Sequence, residues 1–201
     1  MTTPSVPVVF IHGLWIHSTA WQPWIELFRS AGYDPTAPGW PGDSDSVEQT
    51  RKNAAAVAGK GIDDITNGYL DVISGLPAKP IVIGHSFGGL IAQKLLSGGV
   101  AAAAIAIDPG QIKGVKPLPF AQIRSGLPVL SNPGNKKRAV ALTKKQFRYG
   151  FGNALPENES DELYDRYAIP GPGKPRRCVI RGGHGKRCCN CQKDNTLRFV
   201  S

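Results

Sequence analysis

The 201 residues, 41% apolar and 19% charged, have the composition of one globular domain with a sizeable core, which excludes a disordered or fibrous chain. No apolar run approaches the roughly 18 to 20 residues of a membrane span, and Met1-Thr2-Thr3-Pro4-Ser5 lacks the basic start of a secretory leader. A cytoplasmic address without a membrane partner is therefore expected. The net charge of +9 suggests an anionic partner, but eight basic residues against one acid from Pro170 onward carry +7 of it, leaving residues 1–169 at +2.

In chain order, Pro7-Val8-Val9-Phe10-Ile11 is a short β-branched apolar run that reads as a buried strand. Ser18 and Thr19 are placed to cap a helix carrying Trp21, Trp24, Ile25 and Phe28, with Gly32 beyond its end. A short strand is expected between Asp34 and Trp40, then a turn at Pro41-Gly42. Ser46 opens a helix that Gly59 and Gly61 break, and Ile62, Ile65, Leu70 and Ile73 recur at helical spacing after it. Pro80-Ile81-Val82-Ile83-Gly84 reads as a second buried strand and Gly89 to Leu96 as a helix. Val100 to Ile107 reads as a third buried strand, closed by Asp108-Pro109-Gly110. Strands apolar on both faces and alternating with helices predict an α/β fold, a mostly parallel sheet with helices on both faces. Residues 111–169 change in texture, with short helices predicted near 120–127, 143–150 and 159–167. Ile169-Pro170-Gly171-Pro172-Gly173-Lys174-Pro175 reads as a stiff linker unable to join helix or sheet. The expected organisation is a core at 1–110, a cap-like helical segment at 111–169, and an irregular linker and tail at 170–201.

The chemistry concentrates at Gly84-His85-Ser86-Phe87-Gly88. A hydroxyl is a poor nucleophile at neutral pH and needs a base and donors for the oxyanion it creates. A G-x-S-x-G elbow between strand and helix presents the serine on a strained turn, with Gly84 and Gly88 relieving the crowding. The competing reading is a flexible Gly-Ser turn. Upstream, His12-Gly13-Leu14-Trp15 follows the first strand, and resemblance to G-x-S-x-G hydrolases implies that their second oxyanion donor lies there. The expected pair is the Phe87 N–H with one from Leu14 or Trp15; His12 orients the loop and is not the base. The alternative there is a helix-entry turn that uses Gly13 for its backbone freedom. His85 reads as a packing residue of the elbow.

Across residues 6–110 these motifs, with Trp21-Gln22-Pro23-Trp24 and the Pro38-Gly39-Trp40-Pro41-Gly42-Asp43-Ser44 turn, resemble the α/β-hydrolases, serine-nucleophile esterases and lipases among them. The stretch 111–169 resembles the start of that family's cap, inserted after the sheet's sixth strand. The resemblance implies a Ser–His–Asp/Glu triad in that chain order, no cofactor, and a small apolar ester or acyl substrate. Ser86 excludes the carboxylate nucleophile of the fold's dehalogenases and epoxide hydrolases.

The pattern stops at Ile169. The only later histidine is His184, in Gly182-Gly183-His184-Gly185, which makes it the candidate base. The candidate acid is Asp108, with Asp161 or Asp165 as alternatives, although Asp108-Pro109-Gly110 also reads as a plain turn. His17 and His85 lie upstream, in the wrong chain order. All four cysteines fall in the tail. Cys178, His184, Cys188, Cys189 and Cys191 contain one pair at zinc-ligand spacing and no second knuckle, so no metal is expected. One aromatic, Phe199, and no recognisable module argue against nucleic acid. The abrupt turn to Arg, Cys and Gly near Arg176 reads as a frameshifted or misassigned end. The alternative function is accordingly a truncated, non-catalytic homologue without the triad acid and histidine. The oligomeric state is not legible.

Overall fold

The computed structural model describes residues 5–110 and 133–173. The cap helix expected near 120–127, the tail and its cysteines, and His184 lie outside the described residues. Four parallel strands form the sheet in the order β2-β1-β3-β4: β1 (Pro7–Ile11), β2 (Asp34–Thr36), β3 (Ile81–His85) and β4 (Ala103–Ile107). β1 lies between β2 and β3 and every residue in it is buried, as its unbroken apolar run requires. The register pairs Ile11 with Gly84 and His85 with Ile107. The chain therefore leaves β1, β3 and β4 along one edge, the crevice at the carboxyl ends of a parallel sheet where such folds bind ligands.

The two-residue period of the strands divides the core. Val9, Ile11 and Val82 face α3 (Ile62–Ser74) and α4 (Phe87–Ser97), burying Ile62, Ile65, Tyr69, Ile73, Ile91 and Leu95 against them. Val8, Phe10 and Ile83 face Trp21, and the Phe10 ring stacks on Trp21 at 4.9 Å between centroids. Helices thus stand on both faces. The first helix differs from its expected start: a 3-10 turn, Ser18–Trp21, precedes α1 (Gln22–Ser30), and the cap is the His17 ring, which accepts from the Thr19 N–H. Ser18 and Thr19 lie within that turn, so neither hydroxyl caps α1, whose N-cap position is Trp21 with no side-chain cap. Trp24 is 43% exposed, its ring edge-on to those of Phe10 and Trp21. Ser46 caps the short α2 (Val47–Lys52) as its sequence suggests.

Two expectations are corrected. β4 is shorter than 100–107 and only partly covered, with Ile105 49% exposed, because among the described residues it is the last strand of the sheet. The stretch after Ile169 is no free linker: residues 170–173 are buried, and β6 (Gly171–Pro172) pairs antiparallel with β5 (Ala139–Val140). A two-residue ladder accommodates Pro172, since a proline is tolerated where a ladder has an edge. Between these strands lie α5 (Lys144–Gly150), closed by a Thr143/Gln146 capping box, and α6 (Glu157–Tyr167). Phe147, Leu142 and Ala168 join the same buried cluster as Ile11, Leu14 and Trp15, so this segment is packed into the core.

Candidate active site

Ser86 sits between β3 and α4 with φ 55° and ψ −120°, a conformation that L residues other than glycine rarely hold. The surroundings over-determine it. The Ser86 N–H donates to Ile107 O at 3.0 Å, and Ser86 O accepts from the N–H of Gly110 at 2.8 Å. A Cβ at Gly84 would lie 2.1 Å from Gly88 O, and one at Gly88 would lie 2.1 Å from Ile11 O. Both glycines are therefore required by contact, and the helix starts hard against the end of β1. These positions make the strained elbow rather than a flexible turn.

The turn after β1 reaches the same place. A Cβ built on Gly13 would stand 3.1 Å from both Ser86 Cβ and His85 O. Leu14 and Trp15 are buried at 4% and 9%, in the cluster against which Phe87 packs. Among the described residues, no hydrogen bond uses the N–H groups of Leu14, Trp15 or Phe87. Trp15 has φ 70°, a left-handed setting uncommon for a residue with a side chain. It is held by the 139–172 segment: Trp15 Nε1–H donates to Val140 O at 3.1 Å, Trp15 O accepts from Ile169 N–H at 3.0 Å, and His17 N–H donates to Tyr167 O at 2.9 Å. Nothing in the spacing of residues 12–17 signalled this pairing with residues 167–172.

His12 is buried and does not face the serine as a base would. Its Nδ1 lies 2.9 Å from Gly13 O, its Nε2 is 3.1 Å from Asp43 Oδ2, and its ring stacks on Trp40 at 4.9 Å. His17 is buried as well, with Nε2 3.0 Å from Ser44 O. His85 is partly buried at the end of β3, and burial lowers its pKa while the nearby Asp108 charge opposes the shift. Asp108 is exposed at the end of β4 with φ 41°, beside the elbow through its neighbours Ile107 and Gly110. Asp161 and Asp165 are remote in role: both carboxylates lie on α6 near Lys144 Nζ, at 3.4 and 2.7 Å. Among the described residues no cluster of His, Cys, Asp or Glu is arranged to hold a metal.

The model of a known family, the alpha/beta hydrolase family, matches residues 8–184. The chain belongs to the alpha/beta hydrolase family. Solved α/β-hydrolase structures share its fold. An extracellular alpha/beta-hydrolase from a Paenibacillus species, described as similar to tobacco salicylic acid binding protein 2, is 21% identical with a TM-score of 0.62, over 85% of this chain and 68% of that one. A methylesterase from Arabidopsis is 18% identical at TM-score 0.59, over 83% and 66%. A pyrethroid hydrolase is 16% identical at TM-score 0.61, over 89% and 73%. The chain thus spans about two thirds of the length of the first two. No curated protein matches it in sequence. Within the described residues of this α/β-hydrolase, no helix is long and apolar enough to cross a membrane.

Proposed function

We propose that the chain is a serine hydrolase that cleaves a small apolar ester or related acyl substrate through a Ser86 acyl-enzyme. Ser86 Oγ attacks the carbonyl carbon, the alcohol leaves with a proton, and water then releases the acid. Negative charge on the carbonyl oxygen is met by the Phe87 N–H, at the positive end of α4, and by the Leu14 or Trp15 N–H. His184 is the proposed base and Asp108 the proposed acid. The observation that carries the reading is the Ser86 backbone at φ 55° and ψ −120° between a strand and a helix, which costs about 1–3 kcal/mol and is kept by specific packing. The apolar neighbours Leu14, Trp15 and Phe87 support a hydrophobic acyl group, and relatives named methylesterase and pyrethroid hydrolase are in keeping with ester cleavage. The proposed organisation is a catalytic core at 1–110 and a cap-like segment at 111–169, to which the buried β6 joins residues 170–173.

The experiment is hydrolysis of p-nitrophenyl acetate by the purified chain and by Ser86→Ala. Turnover that falls by several orders of magnitude in Ser86→Ala supports the reading. A folded sample with no turnover above its Ser86→Ala variant overturns it. That second outcome supports a non-catalytic homologue, which one observation favours: His12 and His17 are engaged in hydrogen bonds, and the His85 ring lies toward the Gly13 turn, its Nδ1 3.4 Å from the Cβ position there.

A further inference from the structure

We propose that Asp43 is a positioning residue for the oxyanion site: it holds the His12 ring, and the ring holds the Gly13–Leu14 peptide whose N–H is one of the proposed donors. The inference rests on the serine-hydrolase reading above. It starts from a buried cluster that this chemistry leaves unused. The side chains of His12 and Asp43 are each 2% exposed and meet at 3.1 Å, Nε2 to Oδ2. A carboxylate so far from water is costly unless it is engaged. Oδ2 also accepts from the Trp40 N–H at 2.9 Å, and that N–H lies 3.1 Å from His12 Nε2. Trp40 Nε1–H in turn donates to His12 O at 3.2 Å.

The other ring nitrogen reaches the reaction site. His12 Nδ1 is 2.9 Å from Gly13 O. The carbonyl of Gly13 and the N–H of Leu14 belong to one planar trans peptide and point in opposite directions. Anchoring the carbonyl therefore aims the N–H, and the same peptide begins at the residue whose Cβ position lies 3.1 Å from Ser86 Cβ. A half-turn of the imidazole would put carbons where both nitrogens now stand and lose both contacts. Asp43 opposes that turn through its contact with Nε2. Without it, the ring keeps its stacking on Trp40 and is left with the weaker hold of the Trp40 N–H, 3.1 Å from Nε2, on its rotational setting.

A purely structural role for Asp43 is the competing account, since Asp43 N–H donates to Trp40 O at 2.8 Å and its carboxylate closes the same turn. Asp43→Asn separates the two because its amide oxygen still accepts from the Trp40 N–H while the charge facing the ring is gone. Asp43→Ala removes both. The readouts are the His12 ring nitrogen and Leu14 amide resonances in nitrogen-15 NMR, and kcat against KM for p-nitrophenyl acetate. The expected result is a shift of both resonances, with Asp43→Asn between the unsubstituted chain and Asp43→Ala. The matching kinetic result is a kcat lower by about tenfold or more at little-changed KM, less than the roughly 100-fold or greater loss of a whole oxyanion donor. Unmoved His12 and Leu14 resonances in folded Asp43→Asn overturn the proposal, whatever Asp43→Ala does. Absence of turnover in the unsubstituted chain would count against the hydrolase reading alone, because the NMR arm still decides what Asp43 holds.

Discussion

Ser86 and Trp15, in the turns after β3 and β1, share an unusual property: both are non-glycine residues at positive φ, 55° and 70°. They are kept there by different means. Ser86 is fixed by its own neighbourhood in sequence, where Gly84 and Gly88 let strand, turn and helix close on one another. Trp15 is fixed by a segment more than 120 residues later, through Val140 O and the Ile169 N–H. The Ser86 elbow is thus a local device and the turn at Gly13–His17 a tertiary one. Disturbing residues 139–172 should loosen the loop and leave the elbow intact.

The largest effect should come from the local side. Gly88→Ala forces a methyl group to within 2.1 Å of the Ile11 carbonyl, backbone against backbone, and should lower unfolding stability in urea by about 3 kcal/mol or more. A loss under about 0.5 kcal/mol would break the description of the elbow. Gly171→Ala puts a methyl group 2.5 Å from Leu14 Cδ1, the end of a side chain that can swing aside, so about 1–2 kcal/mol is expected. Hydrogen exchange should quicken at residues 14–17 and not at 86–90. Trp15→Phe removes the bond to Val140 O and should cost about 1 kcal/mol or slightly more, again felt in the loop.

Arg51 sharpens the contrast from further away. Its guanidinium donates to the carbonyls of Ala168, Tyr164 and Asp165 at the end of α6, at 2.9, 2.8 and 3.1 Å. Arg51→Ala should raise amide exchange at 167–169 and, through their pairing, at 15–17. The smallest effect belongs to His85. Burial lowers its pKa, so the folded chain binds fewer protons there than the unfolded chain, and stability should fall as pH drops below about 6.5. His85→Gln should flatten that part of the urea midpoint against pH, and Asp108→Asn should lower the His85 midpoint further in an NMR titration.

The same contrast explains what was legible in the sequence. β1, β3, α4 and the Ser86 turn rest on short-range rules, apolar runs ended by small residues, and all four lie where their residues indicate. The limits of β4 were not legible, because the Ala/Ile run at 100–107 reads as buried whether or not anything covers it. Pro170 to Gly173 read as a linker since proline and glycine disfavour strands, yet packing against Leu14 and Trp15 draws them into a short ladder. At the site, Ser86, Phe87 and the His12–Trp15 loop were legible as motifs. Asp43 was visible only as part of a turn, since its contact with His12 spans 31 positions and carries no local periodicity.

The central claim is that Ser86 is a presented nucleophile, and covalent labelling tests it most directly. The folded chain is treated with a fluorophosphonate, digested, and the adduct located by mass spectrometry. The account predicts one adduct on the peptide carrying Gly84-His85-Ser86-Phe87-Gly88, at Ser86 Oγ, and none there in Ser86→Ala. An unmodified Ser86 in folded protein, or label on other hydroxyls that persists in Ser86→Ala, would contradict it.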